Sequence, residues 1–248
     1  MLKGVPTLVN FFTESLAEQF AQDNERADLI IANNVLAHVP DINDFVSGFK
    51  KLLKEEGTIT VEFPHLFELV KHNEFDTIYH EHYFYFSLYT LNIIFNKHDL
   101  SIYDVEELET HGGSLRIYIT HKGNIIDSNS IKNNVKRILN KELKSNVNTL
   151  DFYSSIQSNA FKIKLEALNY LVKQKINNKK IIAFGAAAKG NTFLNYSGIK
   201  KDIIDFVVDE TPYKIGKYMP QSKIPILSFD KIMTEKPDII IILPWNHK

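Results

Sequence analysis

Phe75-Asp76-Thr77-Ile78-Tyr79-His80-Glu81-His82-Tyr83-Phe84-Tyr85-Phe86-Ser87 is the stretch on which the fold and the chemistry of this chain turn. Upstream of it, Thr58 to Phe63 reads as a strand of alternating, β-branched residues. Downstream, Ser87 reads as the N-cap of a helix through about Lys97, with Leu88, Leu91, Ile94 and Phe95 facing inward. The segment is therefore a loop between a strand end and a helix, where α/β enzymes keep their sites. Four of the nine histidines, His65, His72, His80 and His82, fall within eighteen residues here. If the segment turns helically, Tyr79 and His82 share a face. A phenol beside an imidazole, with Glu81 adjacent, suits proton abstraction and stabilisation of a developing oxyanion. The competing expectation is an aromatic plug whose polar tips reach water. His80 and His82 would share one face of a strand, but the spacing of zinc metalloproteases is absent, so no metal site is expected.

Working outward, Asp28 to Asn33 reads as a buried strand, followed by Asn34 and by His38 over the carboxyl edge of the sheet, where ligands bind. Asn33 and Asn34 are candidates for holding a cofactor or for satisfying turn backbone, and His38 for lining a site or capping the next helix. Pro40-Asp41 opens that helix, in which Ile42, Phe45, Val46, Phe49, Leu52 and Leu53 recur at helical spacing until Gly57 ends it. A weak strand is expected near Thr7 to Val9. Leu100 to Leu108 and Ser114 to Thr120 read as strands joined by His111-Gly112-Gly113. Arg116 is a solvent-facing residue of that corner or an anion holder. Residues 125–178, rich in Asn, Lys and Ser, read as two connecting helices, the second from about Thr149 to Gln174. Strands at Lys180 to Phe184, Ile203 to Val208 and Asp238 to Leu243 then mark a second α/β unit. The expected fold class is α/β with parallel sheets covered by helices. Its divisions are 1–124, 125–178 and 179–248.

The chain has 248 residues, 29 basic and 30 acidic, for a net charge of -1. That balance supplies no bulk field for nucleic acid or anionic lipid. The longest apolar runs fall far short of the roughly 20 residues of a membrane span. Zero cysteines exclude disulfides and thiolate metal sites, and no signal peptide stands at the start, so a cytoplasmic location is expected.

Gly185-Ala186-Ala187-Ala188-Lys189-Gly190-Asn191-Thr192 follows a strand and opens a helix at Asn191. Its amides and the helix dipole suit a phosphate, with Lys189 adding charge. The alternative is a tight packing turn. Asn191 stands where a P-loop needs lysine, so ATP hydrolysis is not expected. Asp209, after a strand, suits either a ribose hydroxyl or an exposed loop.

Asn33-Asn34-Val35-Leu36-Ala37-His38-Val39-Pro40-Asp41, Glu62-Phe63-Pro64, Phe75 through Ser87, Thr110-His111-Gly112-Gly113-Ser114-Leu115-Arg116, and Gly185 through Thr192 with Leu194-Asn195-Tyr196 together resemble the nucleotide-sugar C-methyltransferases. The resemblance covers nearly the whole chain, and Tyr79-His80-Glu81-His82 is specific to that family. It implies a partial class I methyltransferase sheet, a helical connector and a second, Rossmann-like α/β unit. It also implies S-adenosylmethionine as cofactor and methyl transfer to the carbon beside the keto group of a nucleotide-diphosphate sugar. The family's base falls on His82, with Tyr79 and Glu81 assisting, His38 lining the site, and Asn33 and Asn34 at the cofactor. Gly185, Lys189, Gly190, Asn191 and Arg116 are left for the substrate.

The family's cysteine-bearing zinc domain and its cofactor-binding glycine turn have no counterpart in this sequence. The missing strands would sit beside Asp28 to Asn33, leaving a hydrophobic edge open to pairing. The chain is accordingly expected to be an internal fragment that works with an upstream polypeptide completing the cofactor site, or a non-catalytic remnant that still binds a nucleotide-sugar.

Overall fold

The computed structural model describes residues 4–124 and 129–247. In chain order the elements are α1 (Glu14–Asp23), β1 (Ala27–Asn33), α2 (Ile42–Leu52), β2 (Leu53–Pro64), α3 (Leu66–His72), α4 (Leu88–Lys97), β3 (Leu100–Leu108) and β4 (Ser114–His121). They continue with α5 (Asn129–Lys144), α6 (Ile156–Ile176), β5 (Ile181–Phe184), α7 (Ala188–Ser197), β6 (Val207–Val208), β7 (Ile226–Leu227), α8 (Lys231–Glu235) and β8 (Ile239–Ile242). The chain forms two compact units. One contains residues 1–66, 83–109 and 113–148, the other 67–82, 110–112 and 149–248. The expected connector therefore does not exist as one piece: α5 belongs to the first unit and α6 to the second.

The first unit is a sheet of order β1-β2-β4-β3. β1 and β2 are parallel, as expected, but β4 runs antiparallel to both β2 and β3. The reversal is made by His111, Gly112 and Gly113, all at positive φ, which two glycines adopt at no steric cost. Ile59, Val61, Phe63, Leu115, Ile117 and Ile119 from the central strands are buried with Phe45 and Phe49 of α2 and Leu91 and Phe95 of α4. Asp41 starts α2, its carboxylate accepting from the Asn43 and Asp44 amides. α2 ends at Leu52 rather than Gly57, because Leu53 already pairs with Ala27 in the sheet. Ser87 caps α4 as expected, accepting from Thr90 N at 3.1 Å. β1 is an edge strand, with Leu29 and Ile31 53% and 63% exposed. Thr7 to Val9 forms no strand.

The second unit is a parallel sheet of order β7-β6-β5-β8. Ile181, Ala183, Val207 and Ile226 form its core with Leu171 of α6 and Leu194 of α7. The run from Ile203 joins β5 only from Asp205, whose N donates to Ile181 O at 2.9 Å while Ala183 N donates to Phe206 O at 3.0 Å, and the strand itself is Val207–Val208; Ile204 is buried ahead of it. Helix α7 begins at Ala188, three residues earlier than expected, so Lys189 and Gly190 lie inside it.

Candidate functional site

The 65–88 segment leaves and re-enters the first sheet at a clamped neck. His65 N donates to Gly113 O at 2.9 Å and Leu66 N to Phe86 O at 2.9 Å, while Tyr83 N reaches Ala37 O at 2.8 Å. Beside them the buried Glu142 of α5 accepts from His65 Nε2 at 2.6 Å, Leu88 N at 2.7 Å and Tyr89 N at 2.7 Å. A carboxylate at the start of α4 satisfies amides that have no partner within the helix.

Within the second unit, Tyr79 to His82 is a hydrogen-bonded turn closed by His82 N to Tyr79 O at 3.0 Å. As the sequence suggested, it brings the two rings together, with centroids 4.3 Å apart. His82 Nδ1 lies 3.0 Å from the Thr77 carbonyl oxygen. A carbonyl only accepts, so the ring proton of neutral His82 sits on Nδ1 and Nε2 is the basic nitrogen.

His80 and Glu81 from the same turn line a cavity of about 320 Å³ with Ala186, Ala187, Ala188 and Asn191 at the start of α7 and with Tyr213, Lys214, Lys217 and Tyr218. The amino end of α7 has no side-chain cap of its own. Asp209, expected as an exposed loop residue or a ribose ligand, is buried and accepts from Ala186 N at 2.7 Å and Thr211 N at 2.8 Å. Burial opposes its ionisation, but these donors and the Lys214 charge outweigh it and hold the carboxyl below its ordinary value. Lys214 Nζ also donates to Ala186 O at 3.0 Å.

The glycines and lysine expected to cradle a phosphate do something else. A side chain on Gly185 would meet the Pro244 ring at 2.6 Å, and one on Gly190 would meet Leu243 at 2.5 Å, so both are close-packing positions. Lys189 is 9% exposed, with Nζ 3.3 Å from His111 O and 4.6 Å above the Trp245 ring. It faces Glu74 and Asp76, each 6% exposed. Desolvation lowers the Lys189 pKa and raises that of Asp76. Burial pushes the Glu74 carboxyl up to about 7 against the pull of Lys189. Asp76 accepts from Trp245 Nε1 at 2.7 Å. The lysines at the α7 cavity are Lys214 and Lys217, which sequence reasoning missed because no motif announces them. Arg116 is also reassigned: it pairs with Glu62 at 2.8 Å and Glu106 at 3.6 Å within its own sheet.

In the first unit, Asn33 and His38 line a cavity of about 590 Å³ with Asn10, Phe12, Ile30, Asp41, Phe45 and Phe49. Asn34 instead makes the left-handed turn after β1, its amide bonded to Glu62 O at 2.8 Å.

Residues 109–248 match the family model described as the C-methyltransferase C-terminal domain. The chain belongs to the C-methyltransferases. Residues 4–105 match a methyltransferase domain, which bears out the expected methyltransferase family. C-methyltransferase NovU of Streptomyces niveus is 31% identical over 245 residues, covering 99% of this chain and 58% of that protein. This C-methyltransferase chain thus spans a little over half the length of that relative. Two solved structures show a remote likeness. The magnesium protoporphyrin IX methyltransferase (ChlM) of Synechocystis PCC 6803 with bound SAH has a TM-score of 0.32 and 16% identity over 42% of this chain and 48% of its own. The M1.HpyAVI–SAM complex has a TM-score of 0.31 and 9% identity over 47% and 54%. Both likenesses are too remote to bear on function. Among the described residues, no helix is long and apolar enough to cross a membrane.

Proposed function

We propose that this chain supplies the base and the nucleotide-sugar subsite for methyl transfer from S-adenosylmethionine to the carbon beside the keto group of a nucleotide-linked deoxysugar. The observation that carries this is the His82 ring, held through Nδ1 by Thr77 O with the Tyr79 phenol ring against it. The keto group acidifies the neighbouring C–H, His82 Nε2 takes that proton, and Tyr79 serves the oxygen on which charge develops. The α7 cavity takes the nucleotide diphosphate: two lysines and an uncapped helix start favour phosphate, and Tyr213 and Tyr218 offer ring surfaces.

The first-unit cavity fits part of S-adenosylmethionine in size and lining. Asn33 and His38 would hold it there, with Phe12, Phe45 and Phe49 as apolar wall. When bound it supplies an electrophilic methyl group on sulfur. The two carboxylates of that cavity, Asp41 and Asp44, each accept amide donors through one oxygen, from Asn43 and Asp44 and from Glu14 respectively. With β1 an exposed edge strand, an upstream polypeptide pairing there is the proposed partner that completes the cofactor site.

Titration calorimetry with S-adenosylmethionine and, separately, with a nucleoside diphosphate tests the division of labour. Diphosphate binding by this chain alone is expected. Tight S-adenosylmethionine binding by the chain alone would remove the need for a partner. In the complemented enzyme, His82→Asn is expected to lower methyl transfer by about 10²- to 10⁴-fold with cofactor binding unchanged. Undiminished turnover would place the base elsewhere. A second reading, a non-catalytic nucleotide-sugar binder, is favoured by the α7 cavity lying wholly within the second unit. Diphosphate binding with no turnover after complementation would select it.

A further inference from the structure

The hydrogen bond that fixes the His82 tautomer ends on a carbonyl that is itself held in place by distant side chains. Thr77 closes a single 3-10 turn, Phe75–Thr77, with Thr77 N bonded to Glu74 O at 3.0 Å and Ile78 N to Phe75 O at 3.0 Å. A turn of three residues has little stability of its own. Its side chains are what tie it down. The Phe75 ring packs on Tyr196 of α7 at 5.1 Å. Asp76 accepts the Trp245 indole N–H at 2.7 Å. Lys189, from the first turn of α7, lies over the ring of that indole, adds its charge beside Asp76, and bonds back to His111 O.

We propose that Asp76, Trp245 and Lys189 are positioning residues for His82, holding the 75–77 turn so that the Thr77 carbonyl keeps the imidazole proton on Nδ1. None of the three is placed at the substrate, and the role rests on His82 being the base. The path runs from Lys189 and Trp245 to Asp76, to the Thr77 carbonyl one peptide unit on, and from that oxygen to the ring. It also accounts for a lysine inside α7 that faces buried carboxylates and an indole instead of the α7 cavity. Desolvation raises the pKa of Asp76 and lowers that of Lys189, so burial works against both charges, while the indole bond and their mutual attraction work for them.

The test reads the tautomer directly, in the full chain, from the ¹⁵N shifts of the His82 ring, assigned by their loss in His82→Gln. Trp245 is the only tryptophan of the sequence, so it can be replaced during expression by benzothienyl-alanine, whose sulfur removes the N–H donor and keeps the ring shape. The native chain is expected to hold Nδ1–H strongly, and the sulfur isostere to lower the ratio of the two tautomers roughly tenfold, the worth of one buried hydrogen bond. Lys189→Met is expected to act in the same direction. Asp76→Asn, which keeps an acceptor for the indole, is expected to retain most of the native ratio. A native tautomer ratio in the isostere protein, which preserves the packing, overturns the proposal even if Lys189→Met fails to fold. Because the shifts are read without turnover, undiminished methyl transfer by His82→Asn would sink the base assignment and leave the tautomer result standing.

Discussion

Two buried glutamates, one in each unit, have opposite surroundings. Glu142 is fully buried and ringed by donors: His65 Nε2 and the amides of Leu88 and Tyr89 all lie within 2.7 Å of its carboxylate. Glu74 is 6% exposed, has Lys189 as its neighbouring positive charge, and its carboxyl is pushed up to about 7. Burial alone therefore does not decide what a carboxylate contributes. With amides aimed at it, a buried carboxylate joins three chain segments. Without them, it keeps its proton until near neutrality.

The largest effect separating the two sites should come from Glu142→Ala, which strips the acceptor from two buried donors and one half-buried one. A loss of about 3–5 kcal/mol in urea unfolding is expected; a loss below about 1 kcal/mol would erase the contrast with Glu74. Next comes pH. The folded pKa of Glu74 lies above its ordinary value of 4.5, so between about 4.5 and 7 the unfolded chain releases a proton that the folded protein keeps. The stability it contributes is complete below that window and lost as pH rises through it, on the order of 2–3 kcal/mol. Unfolding free energies at pH 5 and pH 8, compared with those of Glu74→Gln, isolate the slope.

A smaller effect is expected at Gly112. Its φ is +92° and a side chain there would overlap the Glu74 carboxyl, so Gly112→Ala should cost about 1–3 kcal/mol. Glu74→Ala removes the overlapping carboxyl, so Gly112→Ala in that background should cost less. The smallest change, read at pH 5, is Glu74→Gln itself, which keeps shape and removes the ionisable proton. It should fall within about 1 kcal/mol of the native chain at pH 5, where the folded Glu74 still holds its proton, exceed it by about 2–3 kcal/mol at pH 8, and abolish the pH slope attributed to this group. A slope that persists would assign the titration to Asp76 or another neighbour.

Much of the first unit was legible because its signals are local. The helical spacing of Ile42, Phe45, Val46 and Phe49 and the Ser87 cap each act within one or two turns, and both helices start where expected, though α2 ends at Leu52 and not at Gly57. The Tyr79–His82 pairing was legible for the same reason, being a three-residue spacing. What failed was of two kinds. One apolar run, Thr7 to Val9, forms no strand, and another begins later than its pattern suggested, since from Ile203 the chain joins β5 only at Asp205. Polar residues were given ligands when their partners lay far along the chain: Lys189 meets His111 across 78 residues, and Arg116 meets Glu62 across 54.

From the order of its residues alone, this chain determined an α/β class, the places where helices begin, and the turn that sets a phenol against an imidazole, since each depends on contacts between close neighbours in sequence. Only the tertiary structure decided which nitrogen of His82 is basic, where Lys189 points, and which lysines face the α7 cavity. Those outcomes depend on pairs such as Trp245 and Asp76, 169 residues apart, whose meeting is fixed by the packing of α7 and the second sheet and by no local pattern.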